Sequence, residues 1–486
     1  MKKFPFLLFL TLILVLLTAH ISTAQTALLD HAIDSLIKKN QMDTTIGTSI
    51  GVIIKNPQTG VLIKKYYHLG EKNRTTHAAP DSTTVYQIGS VTKTFTAMVM
   101  AHMLRNNLIK RNDRIQSYLS DTISIPYWIN GNDTTFITVL DLVTHYAGLV
   151  DSPDNTFYPY TLSKMFSYLD TCHLMWKPDS LWSYSNLGFA TLATGLTKKA
   201  GRDSIEQLFT QWITDSLGMT STKITRTPDM ISRSARGYVK NGSNWVLADS
   251  NKSTWPAFDG AGAIRSTIKD MTRYMEFQMK MLNSTLNPLA DTMHKRIKPI
   301  QGQLNSWQGM AWQQHHMNHI PTLPWVIAKD GGTPGYNSFI AFYTDSSNLS
   351  KGGVVILTNS GTTASYENSV KIQNFSQELL SFIYPNYSVG VHQVNTTVPQ
   401  RFNLQQNYPN PFNPSTKIKF ELPSASLVKI TVFDQLGKEV QVLVNQSLSA
   451  GIYETEFNAS SVTSGVYYYK IEAGDYSQTK KMMLVK

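Results

Sequence analysis

The chain has 486 residues, 42% of them apolar and 16% charged, which describes a globular protein with a sizeable core and excludes a disordered or low-complexity one. A single cysteine, Cys172, rules out an intramolecular disulfide, so stability must come from packing. Of the formal charge of +11, +2 belongs to the first few residues and +2 to residues 401–486; the remaining +7 is spread over the middle with no Lys/Arg run longer than two. A duplex-binding surface would cluster its basic side chains, so no nucleic-acid partner is expected.

In chain order, Lys2 and Lys3 precede an apolar run from Phe4 to Leu17 and then Ser22-Thr23-Ala24, the layout of a secretory signal peptide over 1–24. No later stretch approaches the roughly 20 apolar residues that a membrane span requires, so no integral membrane segment is expected once the signal is cleaved. A short helix is predicted around Leu28–Lys39. Thr48–Ile54 and Val61–Tyr67, separated by Asn56-Pro57-Gln58-Thr59-Gly60, read as a β-hairpin. Gly47-Thr48-Ser49-Ile50-Gly51 inside it matches G-x-S-x-G, but that pattern acts as a nucleophile elbow only between a strand and a helix, and here a hairpin follows.

Ile88-Gly89-Ser90-Val91-Thr92-Lys93 then opens an apolar helix through Phe95, Met98, Val99 and Leu104. A serine in a first helical turn lies near unpaired N–H groups and the positive end of the dipole. Lys93, three residues on, shares its face and makes a candidate base for Ser90. Alone, the pair fits equally an N-capping serine and a surface lysine. From Ser90 to about residue 285 the periodicity is helical. Within that region Tyr184-Ser185-Asn186 presents a phenol and an amide two positions apart, suited to relaying a proton and holding a substrate. Short β-type runs return at Gly309–Trp312, Trp325–Ala328, Asn337–Tyr343 and Gly353–Thr358, predicting one sheet assembled from both ends of an α+β domain around an α-rich insert.

Lys329-Asp330-Gly331-Gly332 lies among the returning strands. Its cation could assist the tyrosine, and its glycines let a backbone N–H approach a reacting carbonyl. His315, His316 and His319 precede it without a nearby partnered carboxylate or a second cluster, so no metal site is expected, and no cofactor. A helix at Glu367–Ile383 closes the domain. A polar linker, 387–401, leads to alternating segments Lys417–Leu422, Leu427–Phe433 and Val466–Glu472, a small all-β sandwich; carbohydrate binding is the alternative, which the lack of an evident exposed aromatic platform disfavours.

The order S-x-x-K, Y-x-N, K-x-G resembles the serine β-lactamase and penicillin-recognising hydrolase superfamily, in the branch of class C β-lactamases, D-alanyl-D-alanine carboxypeptidases and lactamase-like esterases. Ile137–Leu149 resembles its "T-H-x-S-G-L" helix end, and Gly260–Thr267 its "G-G-L-x-S-T" loop. The resemblance implies a β-lactamase/transpeptidase-like fold over 25–386 and an acyl-enzyme at Ser90. Lys93 and Tyr184 would deprotonate Ser90, the N–H groups of Ser90 and Gly332 would hold the oxyanion, Asn186 would orient the substrate amide, and Lys329 would support Tyr184. The substrate would be a small molecule or peptide carrying an ester or amide. A catalytically silent surface-binding protein of the same fold is the alternative.

One departure is Asp330, where the family's third motif carries a hydroxyl that meets a substrate carboxylate; a carboxylate there would repel such a substrate unless it points away. Residues 402–486 resemble the type A C-terminal sorting domain of type IX secretion, through Phe402-Asn403-Leu404, Tyr408–Pro414, Gly451-Ile452-Tyr453, Ser464–Tyr468 and the basic tail Lys480–Lys486. That implies the type IX machinery as partner, and a secreted or cell-surface location reached through the periplasm and outer membrane.

Overall fold

The computed structural model describes residues 29–486 apart from 43–45, 56–61, 121–122, 155–158, 243, 249–255, 317–324, 345–350, 362–366, 388–390, 396–397, 449 and 460–461. The signal segment, the turn Asn56–Gly60 and His319 lie outside the described residues.

Thr48–Lys55 and Leu62–Leu69 pair antiparallel, as the alternating pattern predicts. Thr48–Lys55 also pairs with Lys351–Thr358, with Thr48 opposite Thr358, so two segments some three hundred residues apart in sequence sit side by side. The sheet continues through Tyr336–Thr344, Val326–Thr333, Gln313–His315, Ser306–Gln308 and Lys298–Pro299, eight strands among the described residues. Both faces are covered, which is why Thr48–Ile54 is buried throughout. Ile50, Val52 and Ile54 pack with the helices at 29–39 and Glu367–Tyr387 through Leu29, Ile33, Phe375 and Leu379. On the other side Ile53 joins the core of the helical insert, with Phe95, Phe189, Tyr274 and Met275. Full burial of this many large side chains is the main source of stability in a chain without disulfides.

The strand predicted over Gly309–Trp312 is instead the turn joining Ser306–Gln308 to Gln313–His315. Gly309 N donates to Trp312 O at 2.7 Å and Ala311 adopts φ +64°. The apolar run that suggested a strand is explained by burial, since Met310, Ala311 and Trp312 are almost fully inaccessible.

Residues 402–486 form a sandwich around Phe420, Val432, Tyr469 and Ile471, supplying all four strands of one sheet and three of the other. The linker expected over 387–401 is partly ordered structure: the helix runs on to Tyr387, and Val391–Asn395 pairs antiparallel with Gly451–Asn458 as an edge strand of one sheet. Its Val391-His392-Gln393-Val394 breaks the two-residue alternation, and the pairing is irregular between Gln393 and Asn395, so the stretch passes for a polar linker when read without its partner strand.

Candidate active site

Ser90 sits in the single 3-10 turn Gly89–Val91, immediately before the helix Thr92–Arg105. The turn is held from three sides. Ile88 N donates to Ile264 O at 3.0 Å, Ile264 N donates to Thr92 Oγ1 at 3.2 Å, and Ser338 Oγ donates to Ile88 O at 2.7 Å. Gly89 has φ +48°, and a Cβ on it would lie 2.7 Å from the Gly332 nitrogen; a Cβ on Gly331 would lie 2.2 Å from Ile88 O and 3.0 Å from Ser90 N. Glycine is therefore required on both sides of this contact, because only bare backbone allows the strand Val326–Thr333 to press against the serine turn. The Lys329–Gly332 segment, predicted near the start of the returning strands, lies inside that strand. Lys329–Thr333 extends beyond its pairing with Gln313–His315, which ends at Ala328, so its outer edge faces Ser90.

Lys93 is fully buried. Its Nζ lies 3.0 Å from Ser90 Oγ, 2.6 Å from Asn186 Oδ1 and 2.8 Å from Ala261 O. Burial first, and the Lys329 charge second, push the Lys93 ammonium well below the ordinary lysine value of 10.5, against the opposing pull of Asp151 and Asp330. A neutral amine fits this shell: it donates to the two carbonyl oxygens and accepts from the Ser90 hydroxyl.

Tyr184 Oη donates to Ser90 Oγ at 2.6 Å. Burial holds its phenol above the usual tyrosine value, with Lys329 and the Ser90 hydrogen bond pulling the other way. Residues 145–151 serve as a template for this stretch. His145 O accepts from Ser183 N at 2.8 Å, His145 Nδ1 from Ser185 N at 3.1 Å, Val150 O from Ser185 Oγ at 2.6 Å, and Asp151 O from Leu187 N at 2.9 Å. Ser185 Oγ also accepts from Gly188 N at 2.8 Å, capping the helix Asn186–Lys199. The His145 ring lies 4.5 Å from that of Tyr184, and burial drives its imidazole well below 6.5, to the neutral form.

Asn186 is engaged at both ends, Oδ1 with Lys93 and Nδ2 with Asp151 Oδ1 at 2.8 Å. It thus bridges Lys93 to a carboxylate. Asp151 was not singled out in the sequence, and the only signal there is its place just after the Gly148-Leu149 helix end. Lys329 is almost fully buried, with Nζ 5.4 Å from the Tyr184 ring centroid, 2.7 Å from Asp330 Oδ1 and 2.9 Å from Asp330 O. Burial opposes its charge, but the Asp330 carboxylate beside it and Tyr184 together more than offset that, and Lys329 stands above the ordinary lysine value. Asp330 in turn is held below the usual carboxylate range by Lys329.

The G-x-S-x-G serine is elsewhere: Ser49 is fully buried in its strand, 3.0 Å from both His68 Nδ1 and Tyr86 Oη, closed to any substrate. His315 bonds Ser306 Oγ through Nδ1 at 2.8 Å and His316 packs on Trp325.

The family model described as Beta-lactamase matches residues 40–377. The chain belongs to the beta-lactamase family. It is a serine hydrolase. Among its relatives, D-alanyl-D-alanine-carboxypeptidase/endopeptidase AmpH of Escherichia coli (strain K12) is 28% identical over 330 residues, covering 64% of this chain and 80% of the relative. A Beta-lactamase of Lysobacter lactamgenus is 23% identical over 366 residues, covering 69% and 87%. In fold, the beta-lactamase/D-alanine carboxypeptidase of Yersinia pestis superposes with TM-score 0.59 at 20% identity, over 73% of this chain and 99% of that one. A class C beta-lactamase in complex with cefoxitin gives TM-score 0.59 at 19% identity, covering 73% and 99%. Beyond the beta-lactamase match, residues 406–486 match the secretion system C-terminal sorting domain, which assigns the protein to secretion or the cell surface. Among the described residues, no helix is long and apolar enough to cross a membrane.

Proposed function

We propose that residues 25–386 form a serine hydrolase domain that acylates Ser90 and hydrolyses an ester or amide, of the kind cleaved by esterases, β-lactamases or D-amino-acid peptidases. The observation that carries this is the convergence on Ser90 Oγ of Lys93 Nζ at 3.0 Å and Tyr184 Oη at 2.6 Å. Their opposite shifts divide the roles. Neutral Lys93 takes the Ser90 proton as Oγ attacks the carbonyl. The N–H groups of Ser90 and Gly332 receive the oxyanion. Tyr184, protonated at rest, gives its proton to the leaving group, and the resulting phenolate is stabilised by the Lys93 and Lys329 ammoniums. In deacylation the phenolate takes a proton from water, the hydroxide attacks the acyl carbon, and Ser90 Oγ departs with the proton held by Lys93. Every group returns to its starting state.

The experiment is intact-mass labelling of the mature protein with a fluorophosphonate and, separately, a penicillin. A single adduct that Ser90→Ala abolishes is expected. No adduct with either probe, or one that survives the substitution, overturns the reading. A penicillin adduct would extend the substrate class towards the names carried by the relatives.

The 1–24 signal and the 402–486 domain together support export through the periplasm and across the outer membrane by the type IX machinery. Deleting 402–486 should leave the enzyme in the periplasm; its appearance outside the cell after that deletion would refute the route.

A further inference from the structure

The ionisable groups around Ser90 are arranged with the amines inside and the carboxylates outside. Lys93 and Lys329 are 0% and 2% exposed, whereas the Asp330 side chain is 52% exposed and Asp151 is also exposed. Both carboxylates are tied to the reacting centre by short chains of hydrogen bonds. Asp151 Oδ1 accepts from Asn186 N at 3.2 Å and Nδ2 at 2.8 Å, and Asn186 Oδ1 meets Lys93 Nζ, itself 3.0 Å from Ser90 Oγ. Asp330 Oδ1 meets Lys329 Nζ, which lies over the Tyr184 ring.

Lys329, Asp330 and Asp151 are the charges that act on both Lys93 and Tyr184. They sum to one ammonium against two carboxylates, and the ammonium is the buried member. A substrate therefore meets the carboxylates first. A carboxylate on the substrate finds the Lys329 charge already paired and Asp330 and Asp151 opposing it; an ammonium finds two exposed carboxylate acceptors, each linked to the residues around Ser90.

We propose that Asp330 and Asp151 are specificity-determining residues that select substrates carrying a protonated amine beside the reacting carbonyl, such as aminoacyl esters or amides, and disfavour those carrying a carboxylate there. This rests on the reading of Ser90 as nucleophile and goes beyond it by naming the charge of what Ser90 attacks.

The test uses the full chain and three matched p-nitrophenyl alkylphosphonates whose alkyl chains end in ammonium, methyl or carboxylate. In each case a Ser90 Oγ–P bond forms, p-nitrophenolate leaves, and the Ser90 proton passes to Lys93, so the yellow product reports the second-order rate. The expected order is ammonium, then methyl, then carboxylate, with about tenfold or more between the extremes. High salt should compress the spread, because these carboxylates are exposed. Asp151→Asn and Asp330→Asn should each reduce the ammonium-to-carboxylate ratio, and the double variant should bring it near one, with the methyl probe as internal reference for folding. Equal wild-type rates, or a faster carboxylate probe, overturn the proposal while leaving the hydrolase reading intact. A ratio that both variants leave unchanged also overturns the assignment to these residues. If none of the probes modifies Ser90, the hydrolase reading falls and this proposal falls with it.

Discussion

Lys93 Nζ donates to Asn186 Oδ1 at 2.6 Å, joining the first catalytic motif to the second across 93 residues of sequence. Because Asn186 also holds Asp151, it orients the base. Asn186→Ala should lower kcat by about 10–100-fold with a smaller change in KM. Asn186→Asp should do something different: a carboxylate against Lys93 favours the ammonium and moves the acid limb of the pH–rate profile upward. Steady-state kinetics across pH separates the two.

The base form of Lys93 is the neutral amine, which exists above its depressed pKa. Activity should therefore be lost as pH falls through that value, and the acid limb of kcat/KM should lie well below the ordinary lysine value of 10.5. Lys93→Met should cut kcat by on the order of a thousandfold while leaving the circular dichroism spectrum unchanged.

Gly331 and Gly332 are neighbours with opposite tolerances. A Cβ on Gly331 would meet Ile88 O at 2.2 Å, whereas one on Gly332 would meet only Asn337 Oδ1, at 3.4 Å. Gly331→Ala should destabilise the protein by about 1–3 kcal/mol and depress kcat by pushing the strand off the serine turn. Gly332→Ala should cost less than about 1 kcal/mol. Urea melts with parallel kinetics check both.

Asp259 opens the short helix whose Ala261 carbonyl holds Lys93. Burial, then the charge of Glu206, push its carboxyl up to about 7 from 3.8, with Arg265 pulling back. A folded pKa above the unfolded one means its contribution to stability is complete below about pH 4 and is lost as pH rises through about 7. Asp259→Asn should thus be more stable than wild type at pH 8, by on the order of 2 kcal/mol, and indistinguishable from it near pH 4. Thermal melts at the two pH values decide this.

Val391–Asn395 covers one edge of the C-terminal sandwich. A fragment of residues 389–486 should therefore melt higher than one of 402–486, which leaves the backbone of Gly451–Asn458 unpaired on that side.

Much of this was legible in one dimension because the signals are local. Ser90 and Lys93 are one turn apart, so their contact follows from helical geometry. The alternation in Thr48–Ile54 and in the C-terminal strands marks sheets, and the run of strands, helices and strands again anticipates a sheet closed from both ends. Gly309–Trp312 misled because a buried apolar turn and a buried strand look alike without their hydrogen bonds. The Tyr184–Asn186 spacing shows which side chains can face a common site but not that Asn186 bridges Lys93 and Asp151.

The sequence by itself determined the order of the motifs that meet around Ser90, the beta-lactamase match followed by the secretion sorting domain, and the glycines without which the strand and the serine turn could not touch. Only the tertiary structure decided their electrostatics and allegiances: that burial drives the Lys93 ammonium well below the ordinary lysine value, that burial holds the Tyr184 phenol above the usual tyrosine value, and that Asp330 spends one oxygen on Lys329 while its side chain stays half exposed. Those outcomes depend on burial and on distances between segments far apart in the chain, and long-range contacts of that kind leave no periodic mark in the amino-acid order.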